Sequence, residues 1–210
     1  MIKLAIVSPC YNEEEVLEES TTRLTALFDD LVAKKKISAD SFVLFVNDGS
    51  KDRTWSIIKK LHGTNPYIKG MNLARNVGHQ YAIMAGMMTA KDWSDAVITI
   101  DADLQDDLNA IEEMIDAYTQ GYDVVYGYYM EKKQTTFRKF GAWFNQMTVH
   151  CFLKKPKDII SSSFWIMRKY VRDEIIHYTG AYTYLLGLIL RTTNNIKSVE
   201  VKHYEREVGS

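Results

Sequence analysis

The chain has 210 residues, enough for one well-filled α/β domain and requiring no second. Its apolar fraction of 46% and charged fraction of 25% are those of an ordinary globular protein, and a net charge of −1 removes the electrostatic case for a nucleic-acid partner. Two cysteines, Cys10 and Cys151, lie far apart without metal-ligand spacing and read as buried free thiols in a reducing compartment.

The N-terminus opens straight into the strand-like run Leu4–Val7, with no basic region or small-residue cleavage site, so no signal peptide is expected. Further apolar runs follow at Phe42–Val46, Val97–Ile100 and Val124–Tyr126, with a weaker one at Ile68–Leu73. Helical patterns separate them at Glu13–Ala33, Thr54–Leu61, His79–Ala90 and Leu108–Gln120. Short apolar strands alternating with amphipathic helices predict a mostly parallel central sheet with helices on both faces. In the last third, Thr136–Phe152 reads as an aromatic-rich helix and Ile160–Met167 as a strand. A helix from Lys169 follows, then an apolar helix at Tyr182–Leu190 and an edge strand at Ser198–Tyr204. The apolar stretch Ala181–Leu190 is too short for a bilayer, which needs about 20 residues.

Several strand ends carry chemistry. Val97–Ile100 runs into Asp101 and Asp103, two carboxylates one residue apart at the edge where open α/β sheets bind ligands. Paired hard oxygen donors there suit Mg²⁺ or Mn²⁺ held against a phosphate-bearing substrate. After the first strand, Asn12 is placed to cap a helix whose acidic first turn, Glu13–Glu15, suits the helix dipole. After the second, Asp48-Gly49-Ser50 forms a tight turn, and Ser50 or Asp52 can cap the next helix. Asp48 itself has no local task in this reading and is free to accept hydrogen bonds from a ribose or base. After the third, Arg75 is a fork donor for a diphosphate or base, and Gly78 permits close backbone approach. His62, His79, His150, His177 and His203 show no paired metal spacing; His79, beside Gly78, is the one expected near a ligand at these strand ends.

Five segments together resemble inverting glycosyltransferases of family 2. They are Ser8-Pro9-Cys10-Tyr11-Asn12-Glu13, Val46-Asn47-Asp48-Gly49-Ser50-Lys51-Asp52, Ala74-Arg75-Asn76-Val77-Gly78, Asp101-Ala102-Asp103-Leu104-Gln105-Asp106 and Tyr122-Asp123-Val124-Val125-Tyr126-Gly127. The spelling is most similar to the branch that glycosylates polyprenyl phosphates, the dolichyl-phosphate mannose synthase and bactoprenol glucosyltransferase type. The resemblance implies the nucleotide-diphospho-sugar transferase (GT-A) fold over residues 1–210. Residues 1–128 would form the nucleotide-sugar half and residues 129–210 the acceptor half. It implies a donor site of Pro9, Tyr11, Asn12, Glu13, Asp48, Arg75, Gly78, Asp101, Ala102, Asp103 and Gln105. Within it Asp48 would meet the nucleoside, Asp101 would lie near the diphosphate, and Asp103 with Gln105 would hold Mg²⁺ or Mn²⁺. Lys132, Lys133, Arg138, Ser163 and Arg206 would contact the donor diphosphate or an acceptor phosphate, and Asp158 is the candidate base for a hydroxyl acceptor.

The implied partners are a nucleotide-sugar, with UDP-linked donors favoured, and a polyprenyl phosphate or glycan acceptor. The implied location is the cytoplasm, at the membrane's cytoplasmic face, with a membrane tail expected beyond Ser210 and a homo-oligomer allowed. The chain departs from the family pattern at three places. Tyr128 and Tyr129 stand where arginine usually follows Tyr-Gly, Asp107 and Leu108 replace prolines, and Trp165 replaces the arginine of a Phe-Arg-Leu segment. Loss of that arginine favours a rival reading, a soluble family 2 enzyme that glycosylates a saccharide hydroxyl. A dinucleotide-binding dehydrogenase is disfavoured, since Pro9-Cys10-Tyr11-Asn12 stands where Gly-x-Gly-x-x-Gly would be needed.

Overall fold

The computed structural model describes residues 1–103, 105–129, 163–178, 185–202 and 204. Seven strands form one sheet: β1 (Leu4–Cys10), β2 (Phe42–Asn47), β3 (Ile68–Asn72), β4 (Ala96–Thr99), β5 (Val124–Tyr129), β6 (Trp165–Arg168) and β7 (Ile196–Val201). Their order is β3-β2-β1-β4-β6-β5-β7. β6 runs antiparallel to both β4 and β5, and the other pairings are parallel. The mostly parallel sheet expected from the alternating pattern is therefore present.

Side-chain alternation along the central strands fills a separate core on each face. Leu4, Ile6, Val43, Phe45 and Ile98 face α1 (Leu17–Ala33), α2 (Thr54–Thr64) and α4 (Ala110–Thr119). Ala5, Val7, Leu44, Val46 and Val97 face α3 (His79–Ala90), α5 (Lys169–Ile176) and α6 (Leu185–Thr192). Burial on both faces explains why these strands read as unbroken apolar runs. β3 is an edge strand whose residues beyond Ile68 are half-buried or exposed, which is why its run is weaker. β7 forms the other edge, as its alternation predicts, but it ends at Val201 rather than Tyr204.

One boundary differs for a clear reason. The first helix starts at Leu17, not Glu13, and Asn12 does not cap it. Asn12 adopts φ +56°, a left-handed conformation that asparagine tolerates. The N–H groups of Asn12, Glu13 and Glu14 donate to Ser50 Oγ (2.9 Å), Thr54 Oγ1 (2.9 Å) and an Asp52 carboxylate oxygen (3.2 Å). Bonds to a neighbouring loop replace the first turn of the expected helix, and the acids in the actual first turn are Glu18 and Glu19.

The helix expected at Thr136–Phe152, Ile160–Ser162 of the expected strand and Tyr182–Tyr184 of the expected helix lie outside the described residues. So do Lys132, Lys133, Arg138, Asp158 and Arg206, together with Cys151, His150 and His203. Among the described residues no helix is long and apolar enough to cross a membrane.

Candidate active site

The parallel strands β1, β2, β3 and β4 present their carboxyl ends along one edge of the sheet. From β1 the chain proceeds outward to β2 and β3, and then returns to β4 on the other side of β1. That reversal creates a crevice between the ends of β1 and β4, the place where ligands of open α/β sheets bind. Local sequence opens it further. β1 pairs with β2 as far as Cys10↔Asn47, but with β4 only as far as Val7↔Thr99. Pro9, which has no N–H to donate, lies just past the end of the β4 ladder.

Three connecting loops meet at this edge and are stitched together. Asn12 Oδ1 accepts the N–H of Lys51 at 2.9 Å, and Asp52 accepts the N–H of Thr54 at 3.0 Å. Asn47 donates to Asn72 Oδ1 at 2.6 Å, and its carbonyl accepts the N–H of Leu73 at 2.9 Å. The Asp52 carboxyl is pushed up by burial, but bonds from Thr54 and Glu14 outweigh this and leave it below its ordinary range. The cap position of α2 falls on Arg53, which makes no side-chain cap bond; Asp52, one residue earlier, accepts the first helical N–H from Thr54, and Ser50 serves the β1 loop. With the N–H groups of residues 12–14 committed internally, this loop offers no ready phosphate nest of the dinucleotide-binding kind.

Asp48 differs from its expectation. It is buried, 3% exposed, and it has a local task. Its two carboxylate oxygens accept the N–H groups of Val77 (2.7 Å) and Gly78 (3.0 Å), just ahead of α3. The tight turn at Asp48-Gly49-Ser50 does not reveal what Gly49 packs against. This glycine has φ +66°, and a Cβ there would fall 2.4 Å from Asn76 N and 2.5 Å from the Arg75 carbonyl carbon. The loop after β2 is thereby brought against the backbone ahead of α3. Gly78 adopts φ +94°, a backbone conformation that favours glycine, and a Cβ there would meet no protein atom within 4 Å.

The Asp-x-Asp segment follows β4 into the crevice. Asp101 stands between two elements: one oxygen is 3.7 Å from His79 Nε2, and the other accepts the Ser163 hydroxyl at 3.3 Å. The side chains of Asp101 and His79 are 46% and 47% exposed, so a ligand can reach both. Ser163 is itself anchored, its carbonyl accepting the Thr99 hydroxyl. Ala102 points the other way. It is 3% exposed in the α1-side core, and its carbonyl accepts the Ser20 hydroxyl at 2.6 Å, so it shapes the turn rather than lining the crevice. Asp103 accepts the Gln105 N–H at 3.3 Å, and the Gln105 carbonyl accepts the N–H of Tyr204, which follows β7. Tyr11 and Arg75 are exposed at the rim, and Glu13 is half-buried.

The structure thus gathers Pro9, Tyr11, Asn12, Glu13, Asp48, Arg75, Gly78, Asp101, Asp103, Gln105 and Ser163 at one sheet edge. The Cys10 thiol, fully buried beneath them, is pushed well above its ordinary pKa. Burial is the main cause, and the negative charges of Glu13, Asp101 and Asp52 add to it. The carboxylates gathered here, Asp101 and Asp103 foremost, are the groups that would hold a divalent cation. Among the described residues no three His, Cys, Asp or Glu side chains form a complete metal cage. Mg²⁺ and Mn²⁺ complete their shells with water and substrate phosphate oxygens beside one or two carboxylates, which Asp101 and Asp103 could supply.

Comparison with known proteins now gives this edge a family. The family model described as glycosyl transferase family 2 matches residues 5–176. The chain belongs to that family. It is 40% identical over 210 residues to the uncharacterized glycosyltransferase YkoT of Bacillus subtilis (strain 168), with 97% of this chain and 60% of that protein covered. It is 32% identical to the undecaprenyl-phosphate 4-deoxy-4-formamido-L-arabinose transferase of Aeromonas hydrophila, covering 99% of this chain and 62% of the relative. The chain therefore spans about three-fifths of the length of these curated relatives. Among solved structures, glucosyl-3-phosphoglycerate synthase from Mycobacterium tuberculosis superposes with a TM-score of 0.69 at 15% identity, over 98% of this chain and 73% of that one. These neighbours are GT-A glycosyltransferases, and the chain has their fold. The synthase has also been crystallised with Mn²⁺, uridine diphosphate and glucosyl-3-phosphoglycerate.

Proposed function

We propose that this family 2 glycosyltransferase moves a sugar, with inversion, from a nucleotide-diphospho-sugar to a polyprenyl phosphate at the cytoplasmic face of a membrane. A UDP-sugar is the favoured donor. The observation that carries the reading is the Asp101/Asp103 pair at the β1–β4 reversal, reachable by ligand and flanked by His79 and Ser163. The undecaprenyl-phosphate transferase that matches 99% of this chain supports the acceptor class.

Asp103, assisted by Gln105, would hold Mg²⁺ or Mn²⁺, which supplies charge neutralisation to a departing nucleoside diphosphate. Arg75 at the rim adds positive potential for the same diphosphate. The acceptor approaches the anomeric carbon from the face opposite the leaving group; the new glycosidic bond forms as the bond to the diphosphate breaks. A lipid phosphate is already ionised at neutral pH and needs little base assistance. A saccharide hydroxyl needs a placed base, the role proposed for Asp158. One observation favours that second acceptor: Trp165, where the family pattern has arginine, is buried in the core on the α3 side of the sheet and brings no cation.

Calorimetric titration with UDP and GDP, each with Mn²⁺ and again with EDTA, tests the donor site. We expect metal-dependent binding of UDP, weakened in Asp103→Ala by more than the roughly 10–100-fold that losing an outer hydrogen-bond partner costs a metal site. Failure of both nucleotides to bind in the presence of metal would remove the donor assignment. Undecaprenyl phosphate offered against oligosaccharides then separates the two acceptor classes.

A further inference from the structure

We infer that Asp48 is a positioning residue: its carboxylate fixes the amino end of α3 and thereby sets His79 against Asp101. The inference rests on the glycosyl-transfer reading of the crevice and adds a task to Asp48 beside the nucleoside contact that the resemblance implies. Both carboxylate oxygens are already engaged, with the N–H groups of Val77 and Gly78 at 2.7 and 3.0 Å, and the residue is 3% exposed. A carboxylate that accepts two backbone N–H groups in a buried setting is a strong, directional clamp. Its negative charge also lies at the positive end of the α3 dipole, where it stabilises the helix start.

A second observation marks the same joint. Gly49 brings the β2 loop so close to Arg75 and Asn76 that any side chain would strike their backbone. The loop after β2 and the loop before α3 are therefore seated back to back, held by the carboxylate on one side and by direct backbone contact on the other. The residue after Gly78 is His79, and its ring lies 3.7 Å from Asp101. The clamp thus reaches the metal-and-diphosphate end of the crevice through one helix terminus. Its effect on ligand is therefore predicted to reach the diphosphate as well as the base.

The test compares wild type with Asp48→Asn, whose amide accepts one N–H and opposes the other with its own. Hydrogen exchange of the ligand-free protein should quicken about 10-fold or more in residues 73–82 while β1 and β4 remain protected. Binding of inorganic pyrophosphate with Mn²⁺ should weaken about 10–100-fold, and that of UDP and GDP by at least as much. His79→Ala changes a half-exposed side chain and does not depend on the clamp for folding. It should weaken Mn²⁺-pyrophosphate binding, and its effect should add little to that of Asp48→Asn. Unchanged exchange in residues 73–82 overturns the inference, as does a loss confined to one nucleotide with pyrophosphate binding intact. Should the wild type bind neither nucleotide nor pyrophosphate, the glycosyl-transfer reading fails separately, and the exchange measurement still decides the clamp.

Discussion

Asp52 accepts the N–H groups of Thr54 and Glu14 and so joins the start of α2 to the β1 loop. Those bonds, outweighing the upward push of burial, leave its carboxyl below the ordinary range. A group whose pKa is depressed in the folded state stabilises fully above its unfolded pKa, and loses that contribution as the pH falls through the folded value. Asp52→Ala should therefore cost about 1 kcal/mol at pH 7, the usual loss when a side chain that accepts backbone N–H groups at a helix start is removed. In urea titrations the gap from wild type should close as the pH falls below about 4; a gap that stays constant through the acid range sinks the idea. Residue roles are legible where the partner is local, as at Asp52, and hidden where it is distant. Asp48 bonds to backbone 29 and 30 residues further on, and nothing in the spelling of Asn-Asp-Gly-Ser announces that. The same distance hides Gly49, whose neighbours are Arg75 and Asn76, and the Ser20 hydroxyl that holds the turn at Ala102.

Helix α3 connects the packed interior to the crevice, and Gly86 sets how closely it lies on the sheet. A Cβ there would stand 2.4 Å from Val7 Cγ1 and 2.9 Å from Val46 Cγ2. Valine is stiff at χ1, so neither neighbour can rotate away cheaply. Gly86→Ala gains about 1 kcal/mol of helix propensity but incurs overpacking of about 1–3 kcal/mol. A net loss of roughly 1 kcal/mol should appear in urea unfolding, together with weaker nucleotide binding as His79 shifts. Gly63→Ala in α2 is the control: nothing lies within 4 Å of its new methyl, so stability should rise by up to about 1 kcal/mol. If both changes stabilise, the tight α3–sheet contact does not limit the helix. Helix α3, apolar nearly all round, begins and ends at His79 and Ala90 as the sequence predicts, whereas α2 and α4 shift by two or three residues at one end. The miss at α1 comes from side chains of one loop capturing N–H groups of another, a competition that a single segment's pattern does not contain.

At the scale of the molecule, the βα alternation makes a parallel sheet legible, but not its order. The antiparallel β6 sits between β4 and β5 through pairings between residues far apart in sequence, such as Ile98↔Ile166 and Val125↔Ile166. Strand pairing of that kind has no local signature. Its consequence for function is direct, because β6 brings Ser163 alongside Asp101 and so joins the later chain to the Asp-x-Asp segment. A ligand in the crevice then touches the ends of strands whose side chains build both cores, so binding should stabilise one cooperative unit. With UDP and Mn²⁺ at about 100 times the dissociation constant, linkage adds about 2.7 kcal/mol. For a domain near this size, each kcal/mol raises Tm by about 2–4 °C, giving a shift of about 5–10 °C. The thermal transition should move as a whole, remain in place with UDP and EDTA, and remain in place in Asp103→Ala with or without metal. A full shift in the presence of EDTA would mean that the nucleotide is held by protein groups alone. The carboxylates at the β1–β4 reversal would then have to be reassigned to orienting the sugar.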